Sequence, residues 1–483
     1  MKVLSLDIGA SSGRFIVIEY RRGEFFYEET YRFLNGMEEI DGHLCWNFPH
    51  LFNEIEKGLQ KTLAQHKDIK SIGVDTWAVD YGKLDRNDKL IANPIGYRDL
   101  RNEKAANELL QKVKYFDIYR NSGIQYLDFN TIFQLYSEKD YDFESILLIP
   151  DLINFYLTGN KFSEITNFST TALYNPLTKE VSKENLKYIN LDESKINPLI
   201  KHSKRIGFIT KELCDKLNIY PLEVVSVGSH DTASAIASIN LHEDSCYLSS
   251  GTWSLLGVEL EEPLICKKTL EANFTNEVGL EDTIRFLKNI AGLFIIQEIK
   301  KDYEKINPSI TFAQILEEAT AVKENNVFID VDDDVFSTPF KMIEKFNLFL
   351  KKTNQYIHDL TIGEMARSVY ESLAFKYLEN IQHLESLTNK KYTNLIVVGG
   401  GVNVTLLNQL IANILNLEVI TGLDEATVYG NALAQFIYHQ EFISLKEARK
   451  ILDLNTKKVK YHPQDNTYYQ KQHIKYLQMI NSK

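Results

Sequence analysis

Residues 228–254 read GSHDTASAIASINLHEDSCYLSSGTWS, and two chemical devices lie within that span. The first is Ser229-His230-Asp231-Thr232, which follows the apolar run Val224, Val225, Val227 and precedes the small-residue run ASAIAS. That order predicts a strand, a polar turn and a helix start, with Asp231 placed to reach into a cleft. The second is Ser249-Ser250-Gly251-Thr252-Trp253-Ser254, set between Cys246-Tyr247-Leu248 and Leu255-Leu256-Gly257-Val258. Two β-type runs joined by Ser-Gly-Thr predict a tight hairpin whose amides and hydroxyls converge on an anion. Each device alone has an ordinary structural use, Asp231 as a helix cap and Ser-Gly-Thr as a turn. Together, a hydroxyl-rich hairpin and a nearby general base point to phosphoryl transfer onto a sugar-like alcohol.

A chain of 483 residues is too long for one core, so two large domains are expected. Its 44% hydrophobic and 25% charged residues are those of an ordinary globular protein. With 54 Lys and Arg against 66 Asp and Glu, the net charge of -12 argues against nucleic acid as a partner. A local nest of amides can still bind an anion. Cys45, Cys214, Cys246 and Cys266 form no C-x-x-C pair and are expected to be reduced thiols. The first apolar run reaches Asp7 too soon for a signal peptide, and none approaches membrane-spanning length. A cytoplasmic protein without a membrane partner is expected, with a monomer as the default.

The chain opens with the strand VLSLDI (3–8), the turn Gly9-Ala10-Ser11-Ser12-Gly13-Arg14 and further β-type runs, FIVIEY and FFYEETYRF. An acidic residue closing a strand beside such a turn suits a hydrated divalent cation, and the turn's amides suit phosphate oxygens. Gly9 to Gly13 also fits G-x-S-x-G, but that nucleophile elbow needs a helix after the serine, where β sequence follows here. Leu51, Ile55, Leu59 and Leu63 predict an amphipathic helix, leading to the strand SIGVD (71–75) and Thr76-Trp77-Ala78-Val79-Asp80. Tyr97-Arg98-Asp99-Leu100-Arg101 looks superficially like a protein-kinase catalytic loop, yet Lys104 stands where Asn is needed and Asp-Phe-Gly is absent. No G-x-x-x-x-G-K-[ST] or G-x-G-x-x-G motif occurs.

The second half repeats the first: SCYLSSGTWSLLGVEL matches VLSLDIGASSGRFIVIEY as strand, small-residue turn, strand. Domains of 1–240 and 241–483 are therefore expected. Residues 283–299 are predicted as one helix, with Asn289 and Gln297 as polar residues in a buried pattern. The acidic run Asp330 to Asp334 is expected to be a solvated loop rather than a metal site. A helix from Ile362 to about Leu384, the strand LIVV (395–398), Gly399-Gly400-Gly401 and the helix TLLNQLIANIL follow, then LEVIT and a helix through Glu425 to Tyr438. Glycines between strand and helix let a ligand approach the backbone closely.

Taken in order, Asp7 to Arg14, Gly73-Val74-Asp75-Thr76-Trp77, Tyr97-Arg98-Asp99, Ser229 to Ala235, Leu248 to Ser254, Leu287-Lys288-Asn289-Ile290 and Gly399 to Asn408 resemble the FGGY carbohydrate kinases. The resemblance implies an α/β fold of two actin-like (ribonuclease H-like) domains with ATP and sugar in the cleft between them. By motif position, Ala10, Ser11, Ser12, Gly13, Arg14, Thr252, Gln297, Gly400 and Gly401 would contact ATP. Trp77, His230, Asp231, Thr232 and Asn289 would contact sugar. Asp231 would be the catalytic base, and Asp7 would help position hydrated Mg2+. The expected reaction carries the ATP γ-phosphate to the 1-hydroxyl of L-rhamnulose. L-Fuculose, L-xylulose or L-ribulose are the alternative acceptors, and a non-catalytic actin-like ATP-binding protein is the alternative from another class. The sequence departs from the family at Ala78, where Gly is usual, at Asn413, where an Ala-Asp pair is usual, and at Asn416, where Gly is usual.

Overall fold

The run VLSLDI is apolar along nearly its whole length, and as strand β1 (Lys2–Ile8) it is buried from Val3 onward. The computed structural model describes residues 1–138, 140–356, 358–464 and 466–482. Strands β2 (Ser12–Arg21) and β3 (Glu24–Leu34) continue from β1 as an antiparallel meander, and β3 is the largely exposed edge. Helix α1 (Phe48–Gln65) buries Leu51, Ile55, Leu59 and Leu63 as the periodicity requires. Its Gly58 lies on Phe15, where a Cβ would be 2.2 Å from the ring. Strand β4 (Ile69–Thr76) returns parallel to β1. With β5 (Arg205–Phe208) and β6 (Glu223–Val225) the sheet order becomes β5-β6-β4-β1-β2-β3, and helix α2 (Asp231–Ala237) follows β6 after a polar turn.

Strands β7 (Ser245–Ser250) and β8 (Trp253–Leu260) form the second predicted hairpin. Next come β9 (Thr275–Val278), β10 (Ile284–Ala291), α3 (Phe294–Tyr303), α4 (Ile362–Thr388), β11 (Asn394–Val398), α5 (Thr405–Leu415) and β12 (Glu418–Thr421). Helix α6 (Ala426–Tyr438) and strand β13 (Val459–Tyr461) follow. In the second unit the strand order is β8-β7-β11-β12-β13, with β7, β11 and β12 parallel. Asn416 ends α5 with φ 55°, the left-handed conformation that the usual glycine would supply. No helix among the described residues is long and apolar enough to cross a membrane.

Two expectations are corrected. The division at 240/241 is not the whole partition, because residues 259–286 and 426–455 pack with the first unit. The reason is visible on α6, whose buried amides find partners on the first sheet: Gln435 Nε2 donates to the Leu4 carbonyl at 3.0 Å, and Ser71 Oγ donates to Gln435 Oε1 at 2.7 Å. Residues 283–299 are not one helix but strand β10 followed by α3. Gly292 marks the break, since a Cβ there would meet the Trp253 carbonyl carbon at 2.6 Å.

Candidate functional site

In the first unit, register alone gathers the acidic residues. The parallel pairing of β1 with β4 sets Asp7 beside Asp75 and Ile8 beside Thr76. Thr76 N donates to the Ser229 carbonyl at 2.9 Å and Thr76 bridges His230, which brings the start of α2 to the same sheet end. Asp7 pairs across β1 and β2 with Arg14, whose Nη2 donates to Asp7 Oδ2 at 2.5 Å. The turn is closed by Gly9 N donating to the Ser11-adjacent Ser12 carbonyl at 2.9 Å, and Asn35 Nδ2 donates to the Gly9 carbonyl at 2.9 Å. A Cβ on Gly13 would fall 2.1 Å from the Phe33 ring. Ser12 begins β2, so the residues after it form no helix and the hydrolase elbow is excluded.

Asp231 is the first residue of α2, and its side chain keeps 35% of its surface exposed, enough to meet a substrate. Its Oδ1 accepts from Thr232 N at 2.5 Å and Thr232 Oγ1 at 3.0 Å, and lies 3.3 Å from His230 Nε2. Desolvation pushes its carboxyl above the usual aspartate range, His230 opposes the shift, and Asp7 reinforces it. Asp75 is wholly buried; its Oδ2 accepts from Asn431 Nδ2 at 2.6 Å while its Oδ1 has no hydrogen-bond partner among the described residues. Burial first, then Asp7, holds the Asp75 carboxyl well above its ordinary range.

The turn before α2 is held by Glu164, a residue that sequence reasoning missed. Glu164 Oε2 accepts from Ser229 N at 3.1 Å, Ser229 Oγ at 2.7 Å and Thr166 Oγ1 at 2.5 Å. Glu277 and Arg285 were missed as well, and Asp75 entered only as part of the Gly73 to Trp77 motif, without a role of its own. Trp77 is buried, and its Nε1 donates to Asp80 Oδ2 at 3.0 Å, as Trp46 Nε1 does at 2.7 Å. Only the Trp77 ring is therefore left for a ligand. Asp80 itself is pushed up to about 6 by burial, against the hydrogen bonds from Trp46, Gln134 and Trp77. Asp99 accepts from Leu44 N at 2.8 Å and Arg101 N at 3.0 Å, which is structural work.

In the second unit, the β7–β8 turn is closed by Gly251 N donating to the Trp253 carbonyl at 2.9 Å. Leu293 N donates to the Gly251 carbonyl at 2.9 Å, which seats α3 against that turn. Thr252 Oγ1 and Gln297 Oε1 consequently meet at 3.4 Å. Gly399 has φ +79°, a Cβ on Gly400 would meet nothing within 4 Å, and one on Gly401 would fall 2.1 Å from Ser250 Oγ. Thr252, Gln297, Gly400 and Gly401 thus gather at one end of this unit's sheet, a hydroxyl, an amide and bare backbone suited to polar ligand atoms. Asn289 and Gln297 are half-buried, Asn289 on β10 rather than on a helix. The acidic run is partly neutralised: Lys376 Nζ lies 3.8 Å from Asp330 and 3.4 Å from Asp332.

Among the described residues no group of three or more His, Cys, Asp or Glu is arranged as a metal site. Asp7 beside Asp75 Oδ1, which has no partner among the described residues, nevertheless fits Mg2+, which usually keeps its waters and takes one or two protein carboxylates.

Comparison with known proteins follows the same two halves. Residues 2–237 match the N-terminal domain model, and residues 246–439 the C-terminal domain model, of the FGGY family of carbohydrate kinases. A protein named rhamnulokinase from Bacillus subtilis (strain 168) is 38% identical over 453 residues, covering 93% of this chain and 92% of that one. Another so named, from Ligilactobacillus salivarius (strain UCC118), is 36% identical over 483 residues, covering 99% and 98%. A ligand-bound xylulose kinase from Lactobacillus acidophilus shares the fold with a TM-score of 0.81 at 17% identity, covering 100% of this chain and 98% of that chain. The chain belongs to the FGGY family of carbohydrate kinases.

Proposed function

We propose that the protein transfers the γ-phosphate of ATP to the 1-hydroxyl of L-rhamnulose, releasing ADP and L-rhamnulose 1-phosphate. The observation that carries this reading is the state of Asp231. Its Oδ1 is tied to Thr232 and His230, while its Oδ2 makes no hydrogen bond among the described residues, on a side chain still open to solvent. Such a carboxylate can take the hydroxyl proton as the sugar oxygen bonds to the γ-phosphorus and the bond to the ADP oxygen breaks. His230, Thr232, Asn289 and the Trp77 ring would hold the sugar. Ala10 to Arg14, Thr252, Gln297, Gly400 and Gly401 would hold ATP. Asp7 would hold Mg2+, which when bound supplies counter-charge to the phosphate oxygens. Use of ATP fits a cytoplasmic enzyme, and none of these roles needs a second chain.

The names of the relatives favour L-rhamnulose among ketoses. Other ketoses differ in hydroxyl placement, and leaving one buried polar partner unpaired costs about 1–3 kcal/mol, enough to shift preference. Incubation with ATP, Mg2+ and L-rhamnulose is expected to give a phosphomonoester whose phosphorus couples to the C1 protons in NMR. Phosphate on another carbon, or ATP hydrolysis without ester formation, would contradict the assignment.

A further inference from the structure

We infer that the buried pair Glu277 and Arg285 positions the base: Arg285 fixes which nitrogen of His230 carries the proton, and His230 then orients Asp231. This rests on Asp231 being the base. Arg285 is 0% exposed and Glu277 4%, on the neighbouring strands β10 and β9. Arg285 Nη2 lies 3.0 Å from Glu277 Oε2 and 3.2 Å from His230 Nδ1, and Arg285 Nε donates to the Val278 carbonyl at 3.3 Å. His230 Nδ1 is 3.4 Å from Glu277 Oε2.

A guanidinium only donates, so its hydrogen bond to His230 requires a lone pair on Nδ1. Of the two approaches to Nδ1, the one from Arg285 Nη2 at 3.2 Å has hydrogen-bond geometry, whereas Glu277 Oε2 stands farther off at 3.4 Å and is itself paired with Arg285 at 3.0 Å. The imidazole proton therefore sits on Nε2, facing Asp231 Oδ1 at 3.3 Å. Asp231 Oδ1 then accepts from Thr232 N and Thr232 Oγ1 and faces the His230 Nε2 proton across a 3.3 Å polar contact, which leaves Oδ2 toward the substrate. Without Arg285, Nδ1–H would turn to Glu277 and Nε2 would present a lone pair to a carboxylate. A buried ion pair can also serve the fold alone, since a buried charge needs a partner. Coupling to His230 separates the two uses.

The experiment measures kcat and KM on L-rhamnulose for Arg285→Met, His230→Ala and their combination, and records 15N spectra of the His230 ring. The expected result for Arg285→Met is a fall in kcat of about 10- to 100-fold with KM for ATP unchanged. On a His230→Ala background Arg285→Met is expected to change kcat by less than about 2-fold, the non-additivity of residues acting through one group. The wild-type spectrum should show Nε2–H, and the Arg285→Met spectrum Nδ1–H. Full additivity, an unchanged kcat in Arg285→Met, or Nδ1–H in the wild type would each overturn the inference. Should Arg285→Met fail to fold, the uncharged double variant Glu277→Gln/Arg285→Met takes its place, with the same fall in kcat expected and an unchanged kcat overturning. If the wild type phosphorylates no ketose, the base assignment fails by itself, while the wild-type spectrum still decides the His230 proton.

Discussion

Asp231→Asn leaves the protein folded and able to bind ATP, and lowers kcat by about 100- to 10,000-fold. The amide keeps the size of the carboxylate and can still accept from Thr232 N and Thr232 Oγ1 through its carbonyl oxygen. It has no lone pair basic enough to take the sugar's proton. Because desolvation raises the wild-type carboxyl and the charge of Asp7 adds to that rise, the base protonates at a higher pH than an ordinary aspartate. The base works when ionised, so kcat/KM is full above its folded pKa and is lost as pH falls through it. The acid limb of the wild-type pH profile should consequently lie above the usual aspartate range, and the residual activity of Asp231→Asn should lack that limb. Turnover by Asp231→Asn within about 3-fold of wild type would remove Asp231 from the proton transfer.

Gly430→Ala is expected to destabilise the first unit by about 3 kcal/mol, the upper end for overpacking. Helix propensity argues the other way, since Ala is favoured over Gly in a helix interior by about 1 kcal/mol. The contact decides, because a Cβ on Gly430 would stand 1.7 Å from the Ser234 carbonyl oxygen and 2.5 Å from its carbon. That atom is backbone of α2, and no rotamer change relieves the clash. Helix α2 has little room to yield: Arg449 holds its far end, donating to the Ile236 carbonyl at 2.9 Å and the Ala237 carbonyl at 3.0 Å. Displacing α2 moves Asp231, so activity should fall along with the urea midpoint. An unchanged midpoint would mean that α6 and α2 can separate cheaply.

Local features of the fold were legible in the sequence where one pattern had one reading. The turn after Asp7, the helix carrying Leu51, Ile55, Leu59 and Leu63, and the strand, glycines and helix around Gly399 all depend on neighbouring residues, and all form as expected. Residues 283–299 carried two readings, because Phe286 and Ile290 suit a helix face and a buried strand equally. What settles the break is the fit of Gly292 against Trp253, a contact that spacing along the chain does not encode. The return of α6 to the first unit is a tertiary fact of the same kind, resting on Asn431 meeting Asp75 and Gln435 meeting Leu4. Within the candidate site, Asp7 and Asp231 stood out because each closes or opens an element. Asp75 sits inside a strand beside apolar residues, and Glu164, Glu277 and Arg285 reach their partners across long separations: 65 residues from Glu164 to Ser229 and 55 from His230 to Arg285. No motif marks such pairs.

The most direct measurement is ADP release by the purified protein with Mg2+ and ATP against L-rhamnulose, L-fuculose, L-ribulose, D-xylulose, glycerol and no acceptor. Strong turnover on L-rhamnulose, with the other acceptors weaker and the blank near zero, is the predicted result. ATP binding without turnover on any acceptor would contradict a catalytic role for Asp231 and the phosphotransfer built on it.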